Sequence, residues 1–276
     1  MGRRGIMQVY ENKENVVDRS LLEKEKIPFA VLYRVLGGPV KKVVTDHQNS
    51  IIAHTAPIFP TWIWMRDGAG EAELEVLYQT LQKEFSPLSA YRFNTKYWIA
   101  EYLLKRWKED GQHVAVNANI ASYACPVPRK PEKEVDGQRE LLGVEQVELA
   151  ARMIRESSQA IGDVILSEEE SIAAAKEQLD RQVLYIWRDG SGKPVSFCDK
   201  RAESDQYTAV SQCYTVPEAR GKQYAGHLIY GVCQEILQDG QIPILYADAD
   251  YRSSNRCYQK IGFVLQEKIV MIGPEC

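Results

Sequence analysis

The segment "PEARGKQYAGHL", residues 217–228, sets Arg220 and Lys222 around Gly221, just ahead of a helical apolar stripe. The first N–H groups of a helix have no internal partner, and the helix dipole leaves that end partly positive. Ordinary helix starts favour Asp or Glu. Cations placed there oppose local stability and point to a bound anion, most often a phosphate. The alternative is an exposed basic turn whose charges only aid solubility.

Other residues with chemical capacity are less patterned. The cysteines, Cys125, Cys198, Cys213, Cys233, Cys257 and Cys276, form no C-x-x-C pair, and most sit inside apolar runs. They read as reduced, mostly buried thiols. Cys213 and Cys257 invite acyl-enzyme chemistry, but neither has a His nearby in sequence to activate it. The scattered histidines argue against a zinc site, and His47 and His54 fall in a stretch without clear periodicity. His227 falls on the solvated side of its helix. No G-x-x-x-x-G-K-[ST] occurs, which disfavours a nucleotide P-loop.

These residues must be positioned by a folded chain of ordinary composition. Of 276 residues, 45% are hydrophobic and 26% charged, enough for one large or two modest domains with a real core. A net charge of −4 excludes a broad basic face for nucleic acid. No apolar run approaches a membrane span. "MGRRGIMQVY" lacks both the apolar core of a signal peptide and the hydroxyl residue that myristoylation prefers. The expected location is the cytoplasm, and no membrane partner is expected.

Residues 126–143, rich in proline and charge, read as a linker between two blocks. In the second block, 144–156 is helical. "SEEESIAAAKEQLDR" opens with Ser167 and Glu170 in capping-box spacing and continues as another helix. "QVLYIWRD" and "PVSFCDK" are strands joined by "GSGK", and "QYTAVSQCYTV" is a third strand ending at Pro217. The next helix aligns Tyr224, Ala225, Leu228, Ile229, Val232, Cys233, Ile236 and Leu237 on one stripe. Strand "IPILYAD", a helix over about 253–261 and strand "FVLQEKIVMI" complete the block. Strand–helix–strand–helix–strand therefore occurs over 206–270, and the same order is expected over 61–124. In the earlier copy the strand-to-helix turn is "RDGAGEAE", whose Asp67, Glu71 and Glu73 complement the helix dipole themselves and repel a phosphate.

The turn at 220–225, taken with "NRCYQKIGF" downstream, resembles the GNAT superfamily of acyl-CoA-dependent N-acetyltransferases. Arg220 and Ala225 match the family's signature, with Gln223 where Gly is usual. Asn255, Tyr258, Gly262 and Phe263 match the later segment, while Tyr251 stands where many members have Asn. The resemblance covers roughly 144–276 and is sharp at 213–228 and 251–263. It implies an α/β fold with a mixed, mostly antiparallel sheet and helices on both faces. Two tandem halves are expected: 1–125 as a degenerate copy, 126–143 as linker and 144–276 as the acetyltransferase domain.

The same resemblance implies acetyl-CoA as cosubstrate, no metal, and an amine of a small molecule or peptide as acceptor. The pyrophosphate would rest on the N–H groups of Gly221, Lys222, Gln223, Tyr224, Ala225 and Gly226, with Arg220 and Lys222 nearby. The pantetheine arm would bond main-chain groups of Cys213, Tyr214 and Val216 as an added strand. The imperfect alternation of 207–216 suits a bulge there. Asn255 would hold the acyl-CoA, and Tyr258 would protonate the departing thiolate, unless it is a packed core aromatic. No general base stands out. Gln212 cannot accept a proton, and Asp248 or Asp250 could act through water, although Asp250 could equally cap the next helix. The reading from another class is an acyl-CoA-binding sensor without catalysis, favoured by Gln223, Tyr251 and the missing carboxylate.

Overall fold

The structure is a computed structural model and describes residues 6–161 and 166–275, so Cys276 lies outside the described residues. In chain order the elements are β1 (Gln8–Lys13), α1 (Ala30–Val35), β2 (Val40–Thr45), β3 (Ser50–His54), β4 (Thr61–Met65), α2 (Glu71–Glu84), β5 (Phe93–Thr95), α3 (Tyr97–Glu109) and β6 (Val114–Ala124). Then follow β7 (Gln138–Leu141), α4 (Val147–Ile161), α5 (Glu168–Asp180), β8 (Leu184–Arg188), β9 (Pro194–Ala202), β10 (Tyr207–Thr215), α6 (Tyr224–Gln238), β11 (Ile242–Asp248), α7 (Arg252–Ile261) and β12 (Val264–Pro274). The chain divides into two compact units. One is Met1–Ser122 with Ala247–Asp250 and Gln266–Cys276; the other is Tyr123–Tyr246 with Tyr251–Leu265.

In the first unit the strands run β1-β2-β3-β4-β5-β12-β6. Pairing is antiparallel from β1 to β4, parallel between β4 and β5, and antiparallel again between β5 and β12. The core on one face joins Leu77, Leu81, Leu103 and Trp107 of the helices to Ile63, Phe93 and Val270 of the strands. The stretch around His47 and His54, expected to lack pattern, is a β2–β3 hairpin. His54 is buried there, with Nδ1 at 2.9 Å from Thr61 Oγ1. Its alternation is hidden because β3 is buried on both faces.

In the second unit the order is β11-β10-β9-β8-β7, antiparallel except for the parallel β10–β11 pair. Alternation along β8 and β9 assigns the faces. Leu184, Ile186, Val195 and Phe197 join the core built with α4 and α5. Tyr185 and Lys200 instead bond Glu235 of α6. Helices thus cover both faces, and the chain is the mixed α/β protein that the sequence implied. The capping box that opens α5 is present, with Ser167 accepting from Glu170 N–H and Glu170 accepting from Ser167 N–H.

The stretch 126–143 is strapped onto the second unit. Arg129 N–H donates to Ile261 O, Lys133 O meets His227 Nε2 at 2.9 Å, and Asp136 accepts from Tyr224 Oη and Gly190 N–H. It then forms β7 against β8. The helix-facing side of this strap explains Gly226, where a Cβ would stand 3.3 Å from Pro131.

Candidate functional site

β10 and β11 pair from Tyr207–Ile242 to Ala209–Ile244, so beyond Ala209 no strand among the described residues pairs with the β11-facing edge of β10. On the other edge β10 pairs with β9, and the register slips between Ser211 and Tyr214. Gln212, with φ 50°, is the residue that accommodates the extra backbone. Its side-chain Oε1 is buried without a hydrogen-bond partner among the described residues. A strand that ends its pairing and bulges at the same place offers main-chain groups and a polar atom to a ligand. Cys213, Tyr214 and Val216 lie on this length, with Val216 N–H already bonded to Val195 O.

β10 ends at Thr215, and a single 3₁₀ turn over Pro217–Ala219 precedes the loop into α6. Gly221 and Gln223 both have positive φ, 75° and 70°, on either side of Lys222. Alternating the hand of successive residues turns their N–H groups inward as an anion-binding concavity. The N–H groups of residues 221–226 make no hydrogen bond among the described residues, and the first bonded one is His227 N–H, to Gln223 O at 3.2 Å. Gln223 is exposed and makes no capping bond. Its left-handed backbone gives the physical reason that a glycine suits this position. Arg220 is exposed, with Nε donating to Thr215 O at 3.1 Å and its guanidinium 6.0 Å from the Tyr214 ring centre. Tyr224, on α6, is buried and donates to Asp136 at 2.7 Å, and Ala225 follows it at the half-buried edge of the helix.

His227 is a correction. It is buried, faces the strap, and packs on Trp187 with ring centres 5.6 Å apart. Helical spacing placed it off the stripe, but residues 126–137 cover that side of α6, which spacing within α6 cannot reveal.

On α7, Tyr258 and Asn255 are both buried. The Tyr258 phenol interacts with the Cys213 thiol, which donates to Ser211 O at 3.8 Å. Burial pushes the Tyr258 phenol well above its ordinary value and the Cys213 thiol up to about 12, so both hold their protons at neutral pH. A thiol so held is no nucleophile, and burial raises Cys257 as well. Asn255 is committed within the protein, accepting from Tyr123 Oη at 3.0 Å and donating to Tyr251 O at 3.0 Å. Tyr251 is the residue that precedes α7, without a side-chain cap. Asp250 therefore does not cap that helix. Its carboxylate accepts from Asn119 at 2.7 Å, and Asp248 accepts from Asp250 N–H at 2.9 Å. Both aspartates group with the first unit.

One carboxylate near the bulge escaped sequence reasoning. Asp199 on β9 stands opposite Ser211, is 5% exposed, and accepts the Ser211 hydroxyl. The available signal was a charged residue inside the otherwise apolar alternation of "PVSFCDK". In the first unit, the equivalent strand-to-helix turn caps itself, with Glu73 accepting from Gly70 N–H at 2.8 Å. Among the described residues no helix is long and apolar enough to cross a membrane, and no cluster of His, Cys, Asp and Glu could hold a metal.

Comparison with known proteins agrees with this geometry. Residues 190–272, which span the bulge, the turn, α6 and α7, match the family model described as FR47-like protein. The X-ray structure of a Drosophila protein is similar at TM-score 0.68 and 12% identity, covering 99% of each chain. A GCN5-related N-acetyltransferase from Sphaerobacter thermophilus matches at TM-score 0.61 and 14% identity, over 86% of this chain and 80% of that one. A GNAT-family acetyltransferase from Colwellia psychrerythraea matches at 0.58 and 11%, over 98% and 100%. A search of curated protein sequences found no match. The chain shares the fold of these GNAT-family structures, and residues 190–272 match the FR47-like model.

Proposed function

We propose that the second unit binds acetyl-CoA and transfers its acetyl group to an amine of a small molecule or peptide. The observation that carries this reading is the run of unbonded N–H groups at 221–226, shaped by left-handed Gly221 and Gln223, beside the unpaired edge of β10. A pyrophosphate needs several convergent donors with nearby positive charge, and Arg220 and Lys222 supply the charge. The pantetheine amides need strand-like main-chain partners, which Cys213 and Tyr214 offer past the point where β11 leaves. The orphaned Gln212 Oε1 suits an incoming N–H donor. These residues fit the cosubstrate.

Chemistry on such a bound thioester requires a neutral amine to attack the carbonyl and a proton for the departing sulfur. Tyr258 is protonated at neutral pH, and its single O–H is the proton offered to the departing sulfur. A main-chain N–H of the bulged strand polarises the carbonyl oxygen. Asn255 holds Tyr123 and the start of α7 in place, and so supports the cofactor wall from behind.

The tandem arrangement belongs to the same proposal, with 1–125 as the copy that lost its anion site, 126–143 as the connection and 144–276 as the working domain. The parallel β4–β5 pair joined through α2 parallels the β10–β11 pair joined through α6, and the self-capped turn at Gly70 supports the loss. A cytoplasmic site of action fits the reduced cysteines. Calorimetry of the full chain with acetyl-CoA, followed by thiol release across a panel of primary amines, tests the reading. Tight binding without turnover would favour an acyl-CoA sensor instead, a reading to which the inward-bonded Asn255 lends some support.

A further inference from the structure

The transfer proposed above needs an acceptor for the amine's proton, and the structure assigns one. We propose that Ser211 and Asp199 form a relay at the β10 bulge: the Ser211 hydroxyl meets the acceptor amine, takes its proton, and passes its own proton to the Asp199 carboxylate. This rests on the acetyltransferase reading and adds the class of acceptor, an aliphatic primary amine that is cationic when free in water.

Three observations lead to it. Asp199 is 5% exposed and accepts from Ser211, whereas Ser211 itself is only half-buried, so the serine is the reachable end of the pair. The pair sits where β10 has left β11 and where the bulge begins, next to the unpartnered Gln212 Oε1. That corner offers acceptor oxygens, which suits a cationic amine.

The third observation is the face. Cys198 and Lys200 flank Asp199 on β9, and Lys200 bonds Glu235 of α6. Asp199 therefore points to the opposite face, the one Phe197 shares with α4 and α5. Tyr214 shares that face as well, so Cys213 before it alternates to the α6 face, where the Tyr258 phenol interacts with it. Proton acceptor and proton donor then lie on opposite faces of β10. A nitrogen arriving at the carbonyl and a sulfur leaving it need separate partners, and this arrangement keeps the two apart.

The balance closes. The C–N bond forms and the C–S bond breaks. The cationic amine gives one proton through Ser211 to Asp199 and attacks as the neutral amine; the nitrogen's second proton leaves to solvent as the amide forms, the sulfur takes the Tyr258 proton, and exchange with solvent resets both residues. The net change is alkylammonium plus acetyl-CoA to N-acetylamine, free thiol and one proton. Burial raises the Asp199 carboxyl above its ordinary value, which strengthens it as a base, while the Ser211 bond and the Arg201 charge act in the other direction. Leu184, its partner on β8, shares that face, and the charges that act on it come from Arg201 and from Glu203, just past the end of β9.

The test uses the full chain, acetyl-CoA, and a panel of alkylamines, amino acids and lysyl peptides between pH 6 and 9.5. Asp199→Asn and Ser211→Ala should each lower kcat by roughly 10²-fold, the scale of general-base loss. The acetyl-CoA Kd should stay within twofold, and the loss should shrink towards high pH, where the amine is already neutral. Ser211→Thr should keep most activity, and the double variant should be no worse than either single one, because the two act as one unit. Should Asp199→Asn fail to fold, Ser211→Ala and Ser211→Thr carry the comparison. Single variants within threefold of wild type, or losses that multiply in the double variant, overturn the relay and leave the transferase standing. Acetyl-CoA binding with no turnover of any amine by the wild type overturns both together.

Discussion

Gln223→Gly probes the anion turn at its most unusual point. Gln223 holds φ 70° and ψ 10°, is exposed, and makes no capping bond, so removing its side chain breaks no contact. A non-glycine residue in this region carries about 1–2 kcal/mol of strain. Glycine's greater freedom in the unfolded chain returns roughly 0.5–1 kcal/mol of that. The net gain in folding stability is then about 0–1.5 kcal/mol, measured by chemical denaturation of the full chain. The strain sits in the folded backbone, so its relief belongs to folding rather than to binding. The acetyl-CoA Kd from calorimetry should therefore change by less than about tenfold, or 1.4 kcal/mol. Gly221→Ala is the mirror experiment. Its Cβ would meet nothing within 4 Å, so a loss of about 1 kcal/mol at φ 75° would be conformational alone. A loss of affinity beyond tenfold in Gln223→Gly would mean that the amide side chain holds the ligand. An equal gain would mean that it obstructs the turn. Either result refutes the view that the backbone makes the site.

Further expectations concern the charges and protons around that turn. Arg220→Ala should weaken acetyl-CoA binding by about five- to tenfold and flatten its salt dependence, since an exposed guanidinium acts largely through screened attraction. Calorimetry at two ionic strengths reads both, and an unchanged salt slope would remove Arg220 from the site. Tyr258→Phe should lower kcat by roughly 10²-fold with acetyl-CoA affinity within twofold, measured by thiol release on whichever amine turns over. Unchanged turnover would make Tyr258 a packing residue. Asp199 carries a pH signature in stability as well. Its folded carboxyl is raised above the ordinary value, so the wild type loses stability as pH rises through that value. Asp199→Asn has no such loss. It should become the more stable protein as pH rises from about 4 towards neutrality, with the gap constant above that range. A pH-independent difference in denaturant midpoints would contradict the buried, hard-to-ionise carboxyl.

The amino-acid sequence by itself determined the second block's elements and the chemistry of its turn. Strand periodicity, the Ser167–Glu170 capping box and the α6 stripe are local patterns, set by residues within a few positions of one another. The turn proposed to take the anion stood out for the same reason, since two cations before a helix are a local anomaly. The imperfect alternation of 207–216 even marked the bulge at Gln212. What escaped depends on partners far along the chain. The β2–β3 hairpin is buried on both faces, which erases alternation, and β7 lies in a stretch whose prolines and charges read as a linker. His227 looked solvated because the strap that covers it begins about a hundred residues earlier. The site divides the same way. Arg220 stood out as a cation ahead of a helix and Tyr258 came only from the resemblance, but only the fold shows that Tyr258 is buried beside Cys213, that Asn255 turns to Tyr123, and that Asp199 faces Ser211 across two strands. A strand's residue types state what it can bury, whereas strand pairing, which the whole chain decides, selects the neighbour that turns a buried carboxylate into a chemical group.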